Sequence, residues 1–488
     1  MSVRVLSDAF IAPGPAPRLL FRIATALAAD DGTDLGAMGE KAVAALASQR
    51  AADLEAGRVL LTLNLLSLPS ERTPFALMEE VARRGADAAE RAGLPILGGH
   101  TLDLDTKLYG VMTLEETARA GEAPPIPEAP AGAWRPVMGY AQVHGCGAKL
   151  PPDRLAALMP SLVPKTMPAL LASDDAVVIA MGGTTALGAS IDVITPITND
   201  PASYAEIAVA GCFSDLYAKG CAPACAVAVL GSPPRLDPPT RAAILAAAMR
   251  KAEAAGAIVA GVHEVPSQEL FFGLFCAGPG NARDARPKTR VAQGDRLVLT
   301  KALGTGVIST MEKRTALRGD EDVRDRARAS MAAFNDVARD VIAEIGGASA
   351  VTDVTGFSLV GHVLEMVEGG ALAARLHARA VPLLCAEKLY EYVGSGMDFC
   401  SMTRNRHFLE QRVRVTGQPT GEEERLHYEV LYDAQTSGGL LVALDAARAE
   451  RLVARLRERG ATDAAVVGEV VERSGPEALE IVLGDPAP

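Results

Sequence analysis

At 488 residues the chain exceeds one ordinary domain, and about one domain per ~150 residues gives roughly three. Hydrophobic residues make up 49%, charged residues 22% and aromatics only 4%, so a soluble globular core has to be built mainly from Ala, Val, Leu and Ile. A formal charge of -12, with no basic stripe interleaved with aromatics, excludes nucleic acid as an expected partner.

Met1-Ser2-Val3-Arg4-Val5-Leu6-Ser7-Asp8 has no basic segment leading into an apolar run, so no signal peptide is expected and the expected location is cytoplasmic. Strands are predicted from Val59 to Leu66 and from Leu108 to Met112. Between them come a helix from Pro74 to Arg91 and a short apolar run into Gly98-Gly99-His100-Thr101, read as a loop. Repeated prolines from Gly121 to Pro136 remove backbone donors and mark a linker. Ala176 to Ile191, with Gly182-Gly183-Thr184-Thr185 inside it, reads as two strands around a turn and not as a membrane span. Further strands are expected at Ala224 to Leu230, Glu269 to Cys276 and Arg296 to Thr300, with a helix from Pro239 to Ala255. Gly278-Pro279-Gly280-Asn281 suggests a second domain junction, and Lys313 to Arg328 a solvated helix or loop. The domains expected are 1–120, a linker at 121–140, 141–280 and 281–488, in an α+β arrangement.

The first region partly repeats the third. Ala89, Glu90, Ala92, Gly93, Gly98, His100 and Gly110 recur as Ala252, Glu253, Ala255, Gly256, Gly261, His263 and Gly273 at a constant offset of 163. The copies differ in complementary ways: Gln49 stands near where the second copy has Asp215, and Gly261-Val262-His263-Glu264 replaces the double glycine. Glycine permits both close backbone approach and positive φ, and Val and Glu do not.

Chemistry-bearing residues concentrate in the second copy and beyond. His144-Gly145-Cys146-Gly147-Ala148-Lys149 sets a thiol and an amine three residues apart between glycines, where Lys149 favours the Cys146 thiolate. Taken alone, Cys146 reads as an ordinary loop cysteine, and the downstream acidic motifs are what give it a functional role. Asp174, Asp175, Asp192, Asp215 and Asp353 stand beside small or apolar residues, where grouped carboxylates need compensating cations. Mg²⁺ suits such oxygens and leaves sites open for phosphate, although Asp174 also reads as a cap. Cys212, Cys221 and Cys225 lack a matching histidine pair and read as buried structural thiols. Seven irregular cysteines give no disulfide framework, so reduced thiols are expected. His263 and His362 read as structural, and Lys301-Ala302-Leu303-Gly304-Thr305-Gly306 as a tight turn.

In this order the motifs resemble the selenophosphate synthetase (selenide, water dikinase) family, within the aminoimidazole ribonucleotide synthetase-like superfamily. The resemblance covers roughly residues 140 to 485. Its most specific strings are Thr352-Asp353-Val354-Thr355-Gly356-Phe357-Ser358-Leu359 and Asp433-Ala434-Gln435-Thr436-Ser437-Gly438-Gly439-Leu440, the second given no catalytic role. The resemblance implies an aminoimidazole ribonucleotide synthetase-like two-domain unit, ATP as substrate, Mg²⁺ as cofactor and reduced selenium as acceptor. Cys146 would stand at the essential Cys or selenocysteine and Lys149 at the ATP-contacting lysine. Ala172, Ser173, Asp174, Asp192 and Asp215 would border ATP, and Asp175, Asp215 and Asp353 would hold metal. The chain departs from relatives at Ala148, where some carry cysteine, and at Gly211, where Asn is common.

Family members pair as homodimers, each lending a Gly-His-Ser-like loop to its partner's ATP site. By that resemblance residues 1–120 would be a degenerate copy forming an intramolecular pseudo-dimeric barrel, with Gly99, His100 and Thr101 completing the nucleotide site. The plainer reading makes the first copy a packing module. The functional alternatives are another superfamily enzyme acting on sulfide or a small amide, and a non-catalytic nucleotide-binding scaffold.

Overall fold

The computed structural model describes residues 4–12, 18–28, 34–53, 56–94, 96–117, 119, 121–122, 124–128, 134–142, 144–145 and 174–484. The chain divides into two compact units, one of Met1–Cys212 with Pro223–Ala282, the other of Phe213–Ala222 with Arg283–Pro488.

From the amino end the elements are β1 (Arg4–Ile11), β2 (Arg18–Leu27), α1 (Ala37–Ala52), β3 (Arg58–Ser67), α2 (Phe75–Arg91), β4 (Ile96–Leu102) and β5 (Leu108–Thr117). Then follow β6 (Val177–Gly182), β7 (Thr185–Ile194), α3 (Pro201–Ala218), β8 (Cys225–Ser232), α4 (Pro238–Ala254), β9 (Ile258–Pro266) and β10 (Phe271–Asn281). The second series repeats the first element for element. Its sheet does too, since β1-β2-β5-β3-β4 and β6-β7-β10-β8-β9 share one strand order. The repeat holds at single residues: Leu65 pairs with His100 on one side and Gly110 on the other, as Val229 does with His263 and Gly273. Each parallel pair also shifts register at the corresponding place, between Thr62 and Leu63 and between Ala226 and Ala228.

The two sheets share one core, in which Phe21, Ile23, Leu63 and Leu65 pack with Ile191, Val193, Val227, Val229 and Phe275. The Phe21 and Phe275 rings meet edge-on at 5.0 Å, a geometry worth about 0.5–1.5 kcal/mol beyond burial. Strand alternation sends Phe21 and Ile23 into this core while Ala24 and Ala26 pack with Met38, Val43, Met78 and Val81 of α1 and α2. Strands covered on both faces read as continuous apolar runs, so period-two patterning is weak in the sequence.

One expectation changes here. Gly98-Gly99-His100-Thr101 lie inside β4 and not in a loop, held by parallel pairing to β3. Gly278-Pro279-Gly280-Asn281, where a junction was expected, are the last residues of β10, opposite Gly188 to Thr185, and the first unit ends just after them at Ala282. Pairing with β8 stops at Ala277, so Pro279 falls where that side of the strand needs no donor.

In the second unit come β11 (Arg296–Leu299), α5 (Thr305–Lys313), α6 (Glu321–Ala332), α7 (Asp336–Glu344), β12 (Ala350–Asp353), α8 (Ser358–Met366), β13 (Leu372–His377) and α9 (Ala386–Gly394). After these are α10 (Cys400–Leu409), β14 (Val413–Thr416), α11 (Glu422–Val430), β15 (Leu440–Leu444), α12 (Ala446–Glu458), β16 (Ala465–Glu472) and β17 (Leu479–Val482). The strands form one sheet, β12-β15-β11-β16-β13-β17-β14. Ala338 and Val341 of α7 and Leu452 and Leu456 of α12 cover β11 and β15 through Val298, Leu440 and Val442. Among the described residues no helix is long and apolar enough to cross a membrane.

Candidate active site

The two copies meet reciprocally through β4 and β9. A Cβ at Gly98 would stand 3.1 Å from Val177 Cγ2 on β6, and one at Gly261 would overlap the Phe10 ring on β1. Glycine is needed because the other copy's first strand occupies that space. Two residues on, His100 Nδ1 lies 3.1 Å from Asp192 Oδ1 on β7, and His263 Nε2 lies 2.9 Å from Thr25 Oγ1 on β2.

The chemistry at the two contacts differs. His100 meets a carboxylate, and both residues are nearly buried, at 7% and 8% exposure. His263 is fully buried and its Nδ1 lies 2.6 Å from Asp8 Oδ2, so both ring nitrogens are engaged. Asp8, His263 and Thr25 have the connectivity of a carboxylate–imidazole–hydroxyl relay. Yet Thr25 is 2% exposed, which bars a substrate from its hydroxyl, so the trio clamps the copies together. His263 therefore has the structural role read from sequence.

The same unit gathers further predicted residues around β7. Asp174 Oδ1 accepts from the Asp175 amide at 2.8 Å, a turn-type bond, and Ser190 Oγ donates to the Asp175 carbonyl at 3.4 Å, two residues from Asp192. The Gly145 amide donates to the Thr195 carbonyl at 3.2 Å, fastening the chain just ahead of Cys146 to the end of the Asp192 strand. Gly99 and Thr101 flank His100 on β4, and a side chain at Gly99 would overlap Asn64 on β3. Cys146, Lys149, Ala172 and Ser173 lie outside the described residues.

In the second unit, Asp215 follows Ser214 on α3, and Asp353 ends β12 at 3% exposure. Asn335 Nδ2 donates to Ser214 Oγ at 2.9 Å and to the Gly438 carbonyl at 3.0 Å, while the Val354 amide donates to Gly439 O at 2.9 Å. The Gly438-Gly439 turn thus ties the Asp215 helix and the Asp353 strand to one point, a role for Asn335 that the sequence did not disclose. The rest of that string caps α5. Gln435 Oε1 accepts from the Gly304 and Thr305 amides and the Thr305 hydroxyl, and Asp433 Oδ2 accepts from the Gly306 and Val307 amides. Burial pushes the Asp433 carboxyl up to about 7 against those donors.

Among the described residues no three or more His, Cys, Asp or Glu side chains converge as a metal cage. Magnesium shared with a triphosphate needs one or two carboxylates and takes its remaining oxygens from phosphate and water. Within the second unit the nearly buried Asp353 carboxylate and the half-buried Asp215 are hard oxygen donors that suit such an ion, and Asp175 of the first unit is a half-buried donor of the same chemistry. The cysteines do not suit it: Cys212, Cys221, Cys225 and Cys276 are buried thiols, and burial pushes Cys212 up and Cys225 up to about 12.

The family model "AIR synthase related protein, N-terminal domain" matches residues 20–114 and 173–279, the two stretches that hold the paired sheets, and "AIR synthase related protein, C-terminal domain" matches residues 292–479. The chain is thus built from AIR synthase-related domains. Selenide, water dikinase of Shewanella sp. (strain W3-18-1) is 36% identical over 323 residues, covering 65% of this chain and 88% of its own length. That of Photobacterium profundum is 33% identical over 349 residues, 70% of this chain and 97% of its own. This chain belongs to the selenide, water dikinase family and is a kinase-type enzyme. Among solved structures, AaThiL complexed with AMPPCP and TMP covers 69% of this chain and 96% of its own at 16% identity and TM-score 0.49. Hydrogenase maturation protein HypE in complex with ATP covers 62% and 81% at 20% identity and TM-score 0.43.

Proposed function

We propose that this chain makes a selenophosphate-type donor in the cytoplasm from reduced selenium, ATP and water, releasing AMP and phosphate. Membership of the selenide, water dikinase family supports the reaction, and the contact of His100 with Asp192 between the copies carries the arrangement. Residues 1–120 act as a built-in, catalytically degenerate partner, joined through a linker at 121–140 to the ATP-binding domain 141–280 and the carboxy-terminal domain 281–488. The result is an intramolecular pseudo-dimer with one working site.

In this reading Gly99, His100 and Thr101 complete a nucleotide site bordered by Ala172, Ser173, Asp174, Asp192 and Asp215. Phosphoryl transfer depends on positioning and charge neutralisation around the phosphate oxygens. Asp175, Asp215 and Asp353 would hold Mg²⁺, which would supply that neutralisation. Lys149 contacts the transferring phosphate, and Cys146 handles the chalcogen or its delivery. His100 orients the Asp192 carboxylate and shields it from water.

A phosphorus NMR time course with ATP, Mg²⁺ and selenide, with sulfide as control, tests the reaction. Selenide-dependent appearance of AMP, phosphate and a new phosphorus resonance is expected. Turnover with sulfide alone would move the chain to another activity of the superfamily, and ATP binding without turnover would make it a scaffold.

A further inference from the structure

The segment between Asp353 and α8 has four of its backbone groups fastened. The Val354 amide bonds Gly439 O, the Thr355 carbonyl accepts from the Ser358 and Gln435 amides, and the Gly356 carbonyl accepts from Asn405 Nδ2. The Thr355 amide goes elsewhere. It donates to His362 Nε2 at 3.0 Å, and the Thr355 hydroxyl lies 3.3 Å from the same nitrogen.

That bond fixes the tautomer, because a nitrogen accepting an amide proton carries none itself. The ring proton sits on Nδ1, which faces Glu365 Oε2 at 3.3 Å, and Lys288 Nζ lies 2.9 Å from that same oxygen. Burial alone would raise the Glu365 carboxyl, but Lys288 and His362 outweigh it and hold it below the usual carboxylate range. The Phe357 ring packs against the imidazole at 6.1 Å between centroids, leaving it little freedom to turn. His362 is 4% exposed, and its two ring nitrogens face Thr355 and Glu365.

We infer that His362, oriented by Glu365 and Lys288, is a positioning residue that sets the Thr355 amide and thereby aims the Asp353 carboxylate. The inference rests on Asp353 being a magnesium ligand, as proposed above. Lys288, Glu365, His362 and Thr355 form a line of polar contacts ending two residues from Asp353. Asp353 is paired to Leu440 on β15, and the segment that follows it sets the other end of its backbone. Partners that orient a metal-binding group commonly carry about 10–100-fold in metal affinity.

The test is Mn²⁺ binding, read by electron paramagnetic resonance on the full chain with a non-hydrolysable ATP analogue. His362→Phe keeps the ring packing and removes the acceptor, and about ten-fold weaker Mn²⁺ binding is expected. His362→Gln, whose amide oxygen can replace Nε2, should recover to within about two-fold. A role confined to packing would lower the melting temperature of both variants and leave Mn²⁺ binding by the folded protein unchanged, which would overturn the inference. Should His362→Phe fail to fold, Glu365→Gln and Lys288→Met leave the imidazole present and should weaken Mn²⁺ binding several-fold by freeing the ring; unchanged binding in both would equally overturn it. Loss of selenide turnover by the wild type alone would sink the proposed reaction while these binding arms still decide the role of His362.

Discussion

Gly261 and Phe10 provide a direct probe of how the two copies are paired, since they lie 251 positions apart and touch across the interface of the sheets. Gly261→Ala places a methyl group inside the Phe10 ring, and the half-exposed edge of β1 cannot absorb it without displacing that ring. Overpacking of this kind costs about 1–3 kcal/mol. Phe10→Ala removes the obstacle, so the double variant should recover most of the Gly261→Ala loss, with a coupling of about 1 kcal/mol or more in a double-mutant cycle. Urea unfolding followed by fluorescence of Trp134, the sole tryptophan and a described residue of the first unit, reads all four proteins. A Gly261→Ala protein as stable as wild type, or a pair of losses that simply add, would refute the reasoning, because either result means that β1 does not lie on β9.

Arg22 Nε and Arg50 Nε both lie on Glu115 Oε1, at 3.2 and 2.9 Å, with Glu115 at 0% exposure, and Arg22 also pairs with Asp53; Glu115→Ala should destabilise the first unit by about 1.5–3 kcal/mol, since Arg22 keeps Asp53, measured in the same urea transition. His263→Ala should cost about 1–3 kcal/mol from the unpaired Thr25 and Asp8 while leaving ATP-analogue affinity unchanged, checked by calorimetry. Asp433, raised in the fold from 3.8 to about 7, contributes most below pH ~4 and loses that contribution as pH rises through 7. Relative to Asp433→Asn, the wild type should therefore lose stability between pH 4 and 7, by roughly 4 kcal/mol at the upper bound, in pH-dependent unfolding.

The duplication was legible because Ala, Gly and His recur at a fixed spacing, and the matched pairs His100/His263 and Gly110/Gly273 fall at the same register in both sheets. Gly98 to Thr101 was misread as a loop for a physical reason. Two glycines lower local strand preference, and what holds them in β4 is pairing with β3 and contact with β6, both remote in sequence. The Arg22–Glu115 cluster left a trace that could have been followed, a charge set in the apolar run from Leu19 to Leu27. Asn335 left none, since a lone Asn ahead of a helix reads as a cap. The string from Asp433 to Leu440 was recognisable, but its capping of α5 depends on a partner more than a hundred residues away.

The central claim is that the first copy furnishes part of the nucleotide site, and titration of His100→Ala with a non-hydrolysable ATP analogue and Mg²⁺ tests it most directly. Removing an imidazole 3.1 Å from Asp192 should weaken binding about ten-fold, the equivalent of ~1.4 kcal/mol, with the fold intact by circular dichroism. Wild-type affinity in that variant would mean that residues 1–120 only pack against their sibling.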